Sequence, residues 1–293
     1  MGEYSYTDGE LRVNLQMKED FNDNGYILVR GVLTPEELKV VRTSIEHPDG
    51  VTKYAVEFSD GDGKFSKMSL WNHPGNDVTG VVGKCQKVAG VMAELLGGEV
   101  YHYHTKLMMK EPHTGGKWNW HQDYGYWYQN GCLFPDMATV FIAIDPSTKS
   151  NGCLNVIKGS HKCGRVEHKK VAGQTGADVE RVNQIMKFPG MELTEVEMQP
   201  GDALYFHSNL LHTSSQNLSP NRRWAFLCAY NRRSNDPVIV HHHPQYTPLE
   251  IVDNSAILSC TNNVDMEGKD FYPPEKGIRW QVLEKQNEIK DAQ

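Results

Sequence analysis

Between Glu99 and Tyr230 the chain runs as short apolar stretches, each cut off by Gly, Pro or a polar cluster. This pattern limits the fold more than any other feature. Residues 100–110 alternate and are rich in Tyr and Met, the period of a strand. The stretch through His121 and those at 138–145, 153–157, 193–198, 203–207 and 224–230 read the same way. Many short strands after a helical prelude predict a mainly β chain with flanking helices, folded as a two-sheet jelly-roll barrel. In the prelude, 15–22 reads as a helix ending before Asn24-Gly25, and 26–29 as a strand. Thr34-Pro-Glu-Glu37 is a capping box that starts a helix through Ile45, with Pro at its first position. Two strands are expected within 54–71 around a turn-rich tip at 59–63, then a helix over 77–96 stopped by Gly97-Gly98. A further helix over 176–186 would place Val179, Val182 and Met186 on one side. Residues 1–14 read as a polar arm, 15–293 as one domain with its barrel core at about 99–235, and nothing past about Pro244 is assigned.

The 293 residues suit one domain with a substantial core,. A net charge of −7 with no basic run argues against a nucleic-acid partner,. No stretch approaches the length of a membrane span,, so no membrane partner is expected. The six cysteines are scattered without a Cys-x-x-Cys, which predicts reduced thiols and a cytoplasmic setting. The start is acidic and polar rather than a secretory signal, Tyr6 spoils a myristoylation motif at Gly2, and the final Asp-Ala-Gln carries no targeting signal,.

The chemistry concentrates in Trp118-Asn-Trp-His-Gln-Asp123. His121 and Asp123, two apart on an extended segment, would share one face of a strand. Completed by a distant histidine, they describe the two-histidine, one-carboxylate arrangement that holds ferrous iron with three positions open. His-x-Asp alone is a weak signal. His212, on a late strand and followed eleven residues later by Arg223, supplies the missing ligand and a carboxylate clamp. His207 is a rival that reads better as a packed histidine, and His161 reads as a loop residue. The run His241-His-His243 looks like a metal tract, but consecutive histidines on a strand would point opposite ways,.

These pieces carry a resemblance. Asn24-Gly-Tyr-Ile-Leu-Val29, Gly98-Glu-Val-Tyr101, Lys110, Trp120-His-Gln-Asp-Tyr124, Trp127, Asn151-Gly-Cys-Leu154, Gly159-Ser-His161, Gly201-Asp202, His212 to Ser219, Arg223 and Tyr230-Asn-Arg232 follow one another in order. Over roughly residues 20 to 235 the chain resembles the phytanoyl-CoA dioxygenase family of iron(II)/2-oxoglutarate oxygenases. Within it the chain looks most similar to the bacterial proline trans-4-hydroxylases and ectoine hydroxylases. The resemblance implies a double-stranded β-helix (cupin-like) barrel that binds Fe(II), 2-oxoglutarate and O2, with ascorbate as an optional reductant. It selects His121, Asp123 and His212 as metal ligands. For the far carboxylate of 2-oxoglutarate it favours Arg223 over Arg222, since strand alternation lets only one of two adjacent arginines face inward. Ser214, two residues past His212, can donate to the same carboxylate, and Lys110 matches a lysine the family uses toward the cosubstrate. Trp127 matches a pocket tryptophan. His104 and Met108 stand where the relatives have a glutamine and an asparagine, which changes the hydrogen bonds offered to substrate.

The resulting expectation is a hydroxylase of a small molecule, a free amino acid or similar zwitterion, releasing succinate and CO2. The alternatives are a non-catalytic metal- or metabolite-binding barrel and an acyl-CoA hydroxylase. A halogenase is disfavoured by Asp123, and a zinc hydrolase would leave Arg223 and the crowd of aromatics unexplained,.

Overall fold

The computed structural model describes residues 2–7, 11–171 and 174–272. In chain order its elements are β1 (Glu3–Ser5), α1 (Leu15–Asn24), β2 (Tyr26–Arg30), α2 (Pro35–Ile45), β3 (Val56–Ser59), β4 (Phe65–Trp71), α3 (Val78–Lys84) and α4 (Val91–Leu96). There follow β5 (Val100–Lys110), β6 (Trp118–His121), α5 (Asp123–Trp127), β7 (Met137–Ala143), β8 (Leu154–Lys158), β9 (His168–Val171), β10 (Gln174–Ala177) and α6 (Val179–Met186). The last are β11 (Glu192–Val196), β12 (Ala203–His207), β13 (His212–Ser214), β14 (Arg223–Arg232) and α7 (Ala256–Ser259). An eight-stranded sheet has the order β1-β2-β12-β7-β14-β5-β4-β3, and a four-stranded sheet the order β11-β8-β13-β6. The two face each other as an unclosed jelly roll, which is the expected fold class.

Alternation builds the layers. Ile27, Val29, Val140, Ile142, Tyr205, Phe226 and Cys228 on one face of the large sheet pack against Met17, Phe21, Leu38, Val41, Val82 and Met92 of the helices. Leu28, Phe141, Ala143, Leu204, Phe206 and Ala225 on the other face meet Leu154, Val156 and Val196 of the small sheet. Strand β7 is covered on both sides, so every residue of Met137–Ala143 is buried. Thr139, on its inner face, is thereby a polar group inside the sandwich.

Local signals set the helices. Asn14 caps α1, accepting from the Met17 N–H at 2.9 Å, and Gly25 ends it at φ 83°. A Cβ at Gly25 would meet His161 Nδ1 at 2.5 Å, so both conformation and space require glycine there,. The Thr34–Glu37 capping box forms with both its bonds.

Several expectations are corrected. The helix over 77–96 is broken into α3 and α4, because residues 250–254 insert beside it. Cys85 is extended and bridges Val252, the Val252 N–H donates to Lys84 O, and the Gln86 N–H donates to Val252 O. Glycines at 80 and 83 make this stretch a weak helix former,. Within the presumed arm, Glu3–Ser5 adds a parallel strand to β2. Val179 is solvent-exposed, whereas Val182 and Met186 lie on the packed side of α6 as expected, together with Ile185. The hairpin β9–β10 was not anticipated. The segment after Pro244 is irregular yet docked: Lys269 is fully buried against Asp77 at 2.7 Å and donates to Pro74 O and Thr79. Residues 8–10 of the arm, and 273–293 with the final Asp-Ala-Gln, lie outside the described residues. No helix among the described residues is long and apolar enough to cross a membrane.

Candidate metal centre and cosubstrate site

Strands β6 and β13 pair antiparallel with His121 opposite His212, which brings two histidines ninety-one positions apart onto one rung. Their rings lie 4.0 Å apart between centroids. Asp123 joins them, and the three side chains offer ligand atoms that all lie within 4.8 Å of one another. The expected route to this pair was two residues on one strand. The structure instead ends β6 at His121 and opens α5 at Asp123, with only Gln122 extended between them. Gln122 fixes that junction. Its side chain donates to Gly164 O and Asn209 O at 2.8 Å each and accepts from the Val166 N–H at 2.7 Å, and its own N–H donates to His168 Nε2 at 2.9 Å.

The donor set suits a divalent metal. His121 Nδ1 lies 2.7 Å from Asn119 O and His212 Nδ1 2.9 Å from Leu210 O. Each Nδ1 therefore carries the proton, leaving the Nε2 lone pair free. Enclosure of its ring, and then the neighbouring His212, push the His121 pKa well below the ordinary imidazole range; burial lowers His212 against the opposing pull of Asp123. Both rings are neutral at neutral pH, as metal ligation requires. Thr139 Oγ1 donates to Asp123 Oδ2 at 2.8 Å, orienting the carboxylate. Two neutral imidazoles and one carboxylate are the set expected of non-haem ferrous sites.

Further along the same interior, Arg223 and Lys110 are Cα partners on β14 and β5, and both are buried. Lys110 Nζ donates to Ser214 Oγ at 2.8 Å and to Ser215 O. One Arg223 terminal nitrogen donates to Gly152 O at 2.8 Å, while its buried Nε has no hydrogen-bond partner. Gly152 reaches that position at φ 82°, and a Cβ there would meet Ser215 O at 2.3 Å,. Burial lowers Arg223 to about 10, and burial together with Arg223 lowers Lys110 well below its ordinary value. No ion pair of either side chain with a carboxylate occurs among the described residues. Arg222 turns outward to Glu46 and Asp145 and stacks on Trp224. Of the two arginines, only Arg223 faces the interior.

His104 and Trp127 are buried together, with ring centroids 5.5 Å apart. His207 packs between Phe21 and His161, away from the metal set, and His161 Nε2–H donates to Asn22 O at 2.9 Å from a single 3-10 turn. His241 to His243 do not form a strand. His243 is buried 4.7 Å from His104 between ring centroids, with Nδ1 2.9 Å from Asn72 Oδ1. Sequence reasoning missed this contact, and it missed the β9–β10 hairpin that braces β6. There the Gln174 side chain accepts from the Asn119 N–H, and Tyr126, edge-on to His121, donates to Thr175 O. No periodicity marks such contacts. Lys106 was missed as well, although it lies four residues before Lys110 on the same face of a strand,.

Comparison with known proteins fits this geometry. A family profile described as phytanoyl-CoA dioxygenase (PhyH) matches residues 21–225. The chain belongs to the phytanoyl-CoA dioxygenase family. It is therefore placed among the iron(II)- and 2-oxoglutarate-dependent dioxygenases. An L-proline trans-4-hydroxylase of Streptomyces griseoviridis is 28% identical over 256 residues, covering 83% of this chain and 94% of the relative. An ectoine dioxygenase of Stutzerimonas stutzeri is 20% identical, covering 80% and 86%. Among solved structures, EctD from S. alaskensis with 2-oxoglutarate and 5-hydroxyectoine superposes with a TM-score of 0.67 at 20% identity, covering 85% of this chain and 92% of that one. At that identity the likeness shows the shared fold.

Proposed function

We propose that this dioxygenase hydroxylates a small zwitterionic molecule, a free amino acid or close analogue, with 2-oxoglutarate and O2 consumed and succinate and CO2 released. The observation that carries this reading is the pair of buried cations, Lys110 and Arg223, without a carboxylate partner among the described residues, facing the sheet that carries His121 and His212 and tied to it by the Lys110–Ser214 hydrogen bond. Burying a cation unpaired is costly. A fold that keeps two of them is completed by an anionic ligand, and a bare metal-binding barrel has no use for them.

His121 and His212 through Nε2, and Asp123 through the oxygen not held by Thr139, would hold Fe(II). When bound, that metal supplies the oxidative chemistry. Arg223 offers a planar fork for the far carboxylate of 2-oxoglutarate, supported by the Ser214 hydroxyl and the Lys110 ammonium. The protein's part is to bind, orient and exclude water. His104 and Trp127 line the substrate side.

The proline hydroxylase relative supports an amino-acid substrate. His104 and Met108, in place of an amide pair, point to a molecule other than proline or ectoine. The test incubates the protein with Fe(II), 2-oxoglutarate, ascorbate and a panel of free amino acids and other small zwitterions in air. Succinate formed in step with a product one oxygen atom heavier is the expected result. Stimulation by acyl-CoA substrates alone would contradict the zwitterion reading.

A further inference from the structure

Strand β5 pairs with β14 in unbroken register from His104 to Lys110, with His104 opposite Ala229, Lys106 opposite Leu227, Met108 opposite Ala225 and Lys110 opposite Arg223. Side chains two apart share a face, so Lys106 stands between His104 and Lys110 on the face turned to the site. That face is fixed at both ends: His104 packs on Trp127, and Lys110 reaches Ser214 on the opposite sheet. Across the sheet Lys106 is flanked by Leu70 of β4 and Leu227 of β14, both apolar. It is half-buried, and among the described residues its ammonium has no ion pair or side-chain hydrogen bond. Burial is the main reason His104 and His243 resist protonation, and the Lys106 ammonium adds to it at both. Beside it His104 Nδ1 is buried without a hydrogen-bond partner, a second polar atom awaiting a ligand.

We propose that Lys106 receives the carboxylate of the primary substrate and that His104 meets a polar group of the same molecule. This rests on the oxygenase reading above. Lys106 is not needed by the cosubstrate: Lys110 and Arg223 already face its far carboxylate, and Lys106 lies four residues, roughly 13 Å along the strand, from Lys110. A lone ammonium with neutral imidazoles around it suits one monoanionic group rather than a phosphate cluster. The substrate class is thus a small carboxylic acid with a further hydrogen-bonding group.

The test uses the full chain loaded anaerobically with Fe(II) and 2-oxoglutarate. The probes are free L-amino acids, L-proline first, each compared with its methyl ester. Binding is read as a perturbation of the visible absorption band of the iron–2-oxoglutarate chelate. At least one free acid is expected to bind about tenfold or more tightly than its ester, the worth of one charge-assisted hydrogen bond. Lys106→Met should erase that preference with the 2-oxoglutarate titration unchanged, and Lys106→Arg should keep it. A preference that survives in Lys106→Met, or a loss of 2-oxoglutarate affinity in its place, overturns the proposal. If the band forms but no acid perturbs it, the carboxylate assignment fails and the oxygenase reading stands. If the band never forms, both fail.

Discussion

At one end of the interior, His121 and His212 are neutral bases whose outer nitrogens are already satisfied by backbone carbonyls, and Asp123 is held by Thr139. At the other end, Lys110 and Arg223 are buried cations whose hydrogen bonds go to neutral oxygens. The first end is preorganised to accept a cation, the second an anion. The histidines stand on β6 and β13 and the cations on the facing β5 and β14, and Lys110 Nζ bridges the two sheets at Ser214, so a ligand that chelates the metal and carries a second carboxylate satisfies both at once. The difference also separates their failures: damage at the first end should remove metal, and damage at the second should leave metal bound and weaken only the anion.

The largest effect is expected at the metal end. Asp123→Ala should abolish iron-dependent turnover and metal retention, measured by succinate formation and by metal content after gel filtration; normal turnover would break the assignment. Arg223→Ala should retain iron yet raise the 2-oxoglutarate requirement on the order of 10²-fold, the scale of removing one partner of a buried charge pair. A variant that lost iron instead would collapse the distinction between the ends. Thr139→Val removes only the hydroxyl that orients Asp123, and should cost about 10- to 100-fold in metal affinity, read by competition with a chelator. Acid should weaken the metal-free protein through its buried neutral histidines. Burial lowers His102 and His207 to about 3 and His168 to about 4. The unfolded chain takes up those protons from about pH 6.5 downward while the folded one does not, so the unfolded state binds more protons in that window. Stability should therefore fall as pH drops from about 6.5 toward 4, by up to roughly 1.4 kcal/mol per pH unit for each such ring. A denaturant midpoint that stays flat from pH 7 to 4.5 would contradict this.

Where the sequence was legible follows from which forces are local. The period of two in β5 yielded its bounds, because alternation is written residue by residue, and the capping box at Thr34 marked the start of α2 for the same reason. His121, Asp123 and His212 come within reach of one another, and Lys110 bonds Ser214 and pairs with Arg223, although the local geometry of the His121–Asp123 pair is a strand–helix junction rather than one strand. The break in the 77–96 helix was hidden because its cause lies some 170 residues downstream, in the insertion at Val252. The β9–β10 hairpin is polar and Lys-rich, without an apolar face to announce it. His243 was discounted on a strand premise, whereas an irregular segment carries it against His104. The surroundings of His104 were the least legible part, because they come from β5, α5 and the C-terminal segment together.

The most direct test of the central claim is an anaerobic titration of Fe(II)-loaded protein with 2-oxoglutarate, followed by visible absorption. A weak metal-to-ligand band that saturates in the native chain, needs far more 2-oxoglutarate in Arg223→Ala and is absent in Asp123→Ala is the predicted result. Metal that binds to the native chain without any such band would contradict the account.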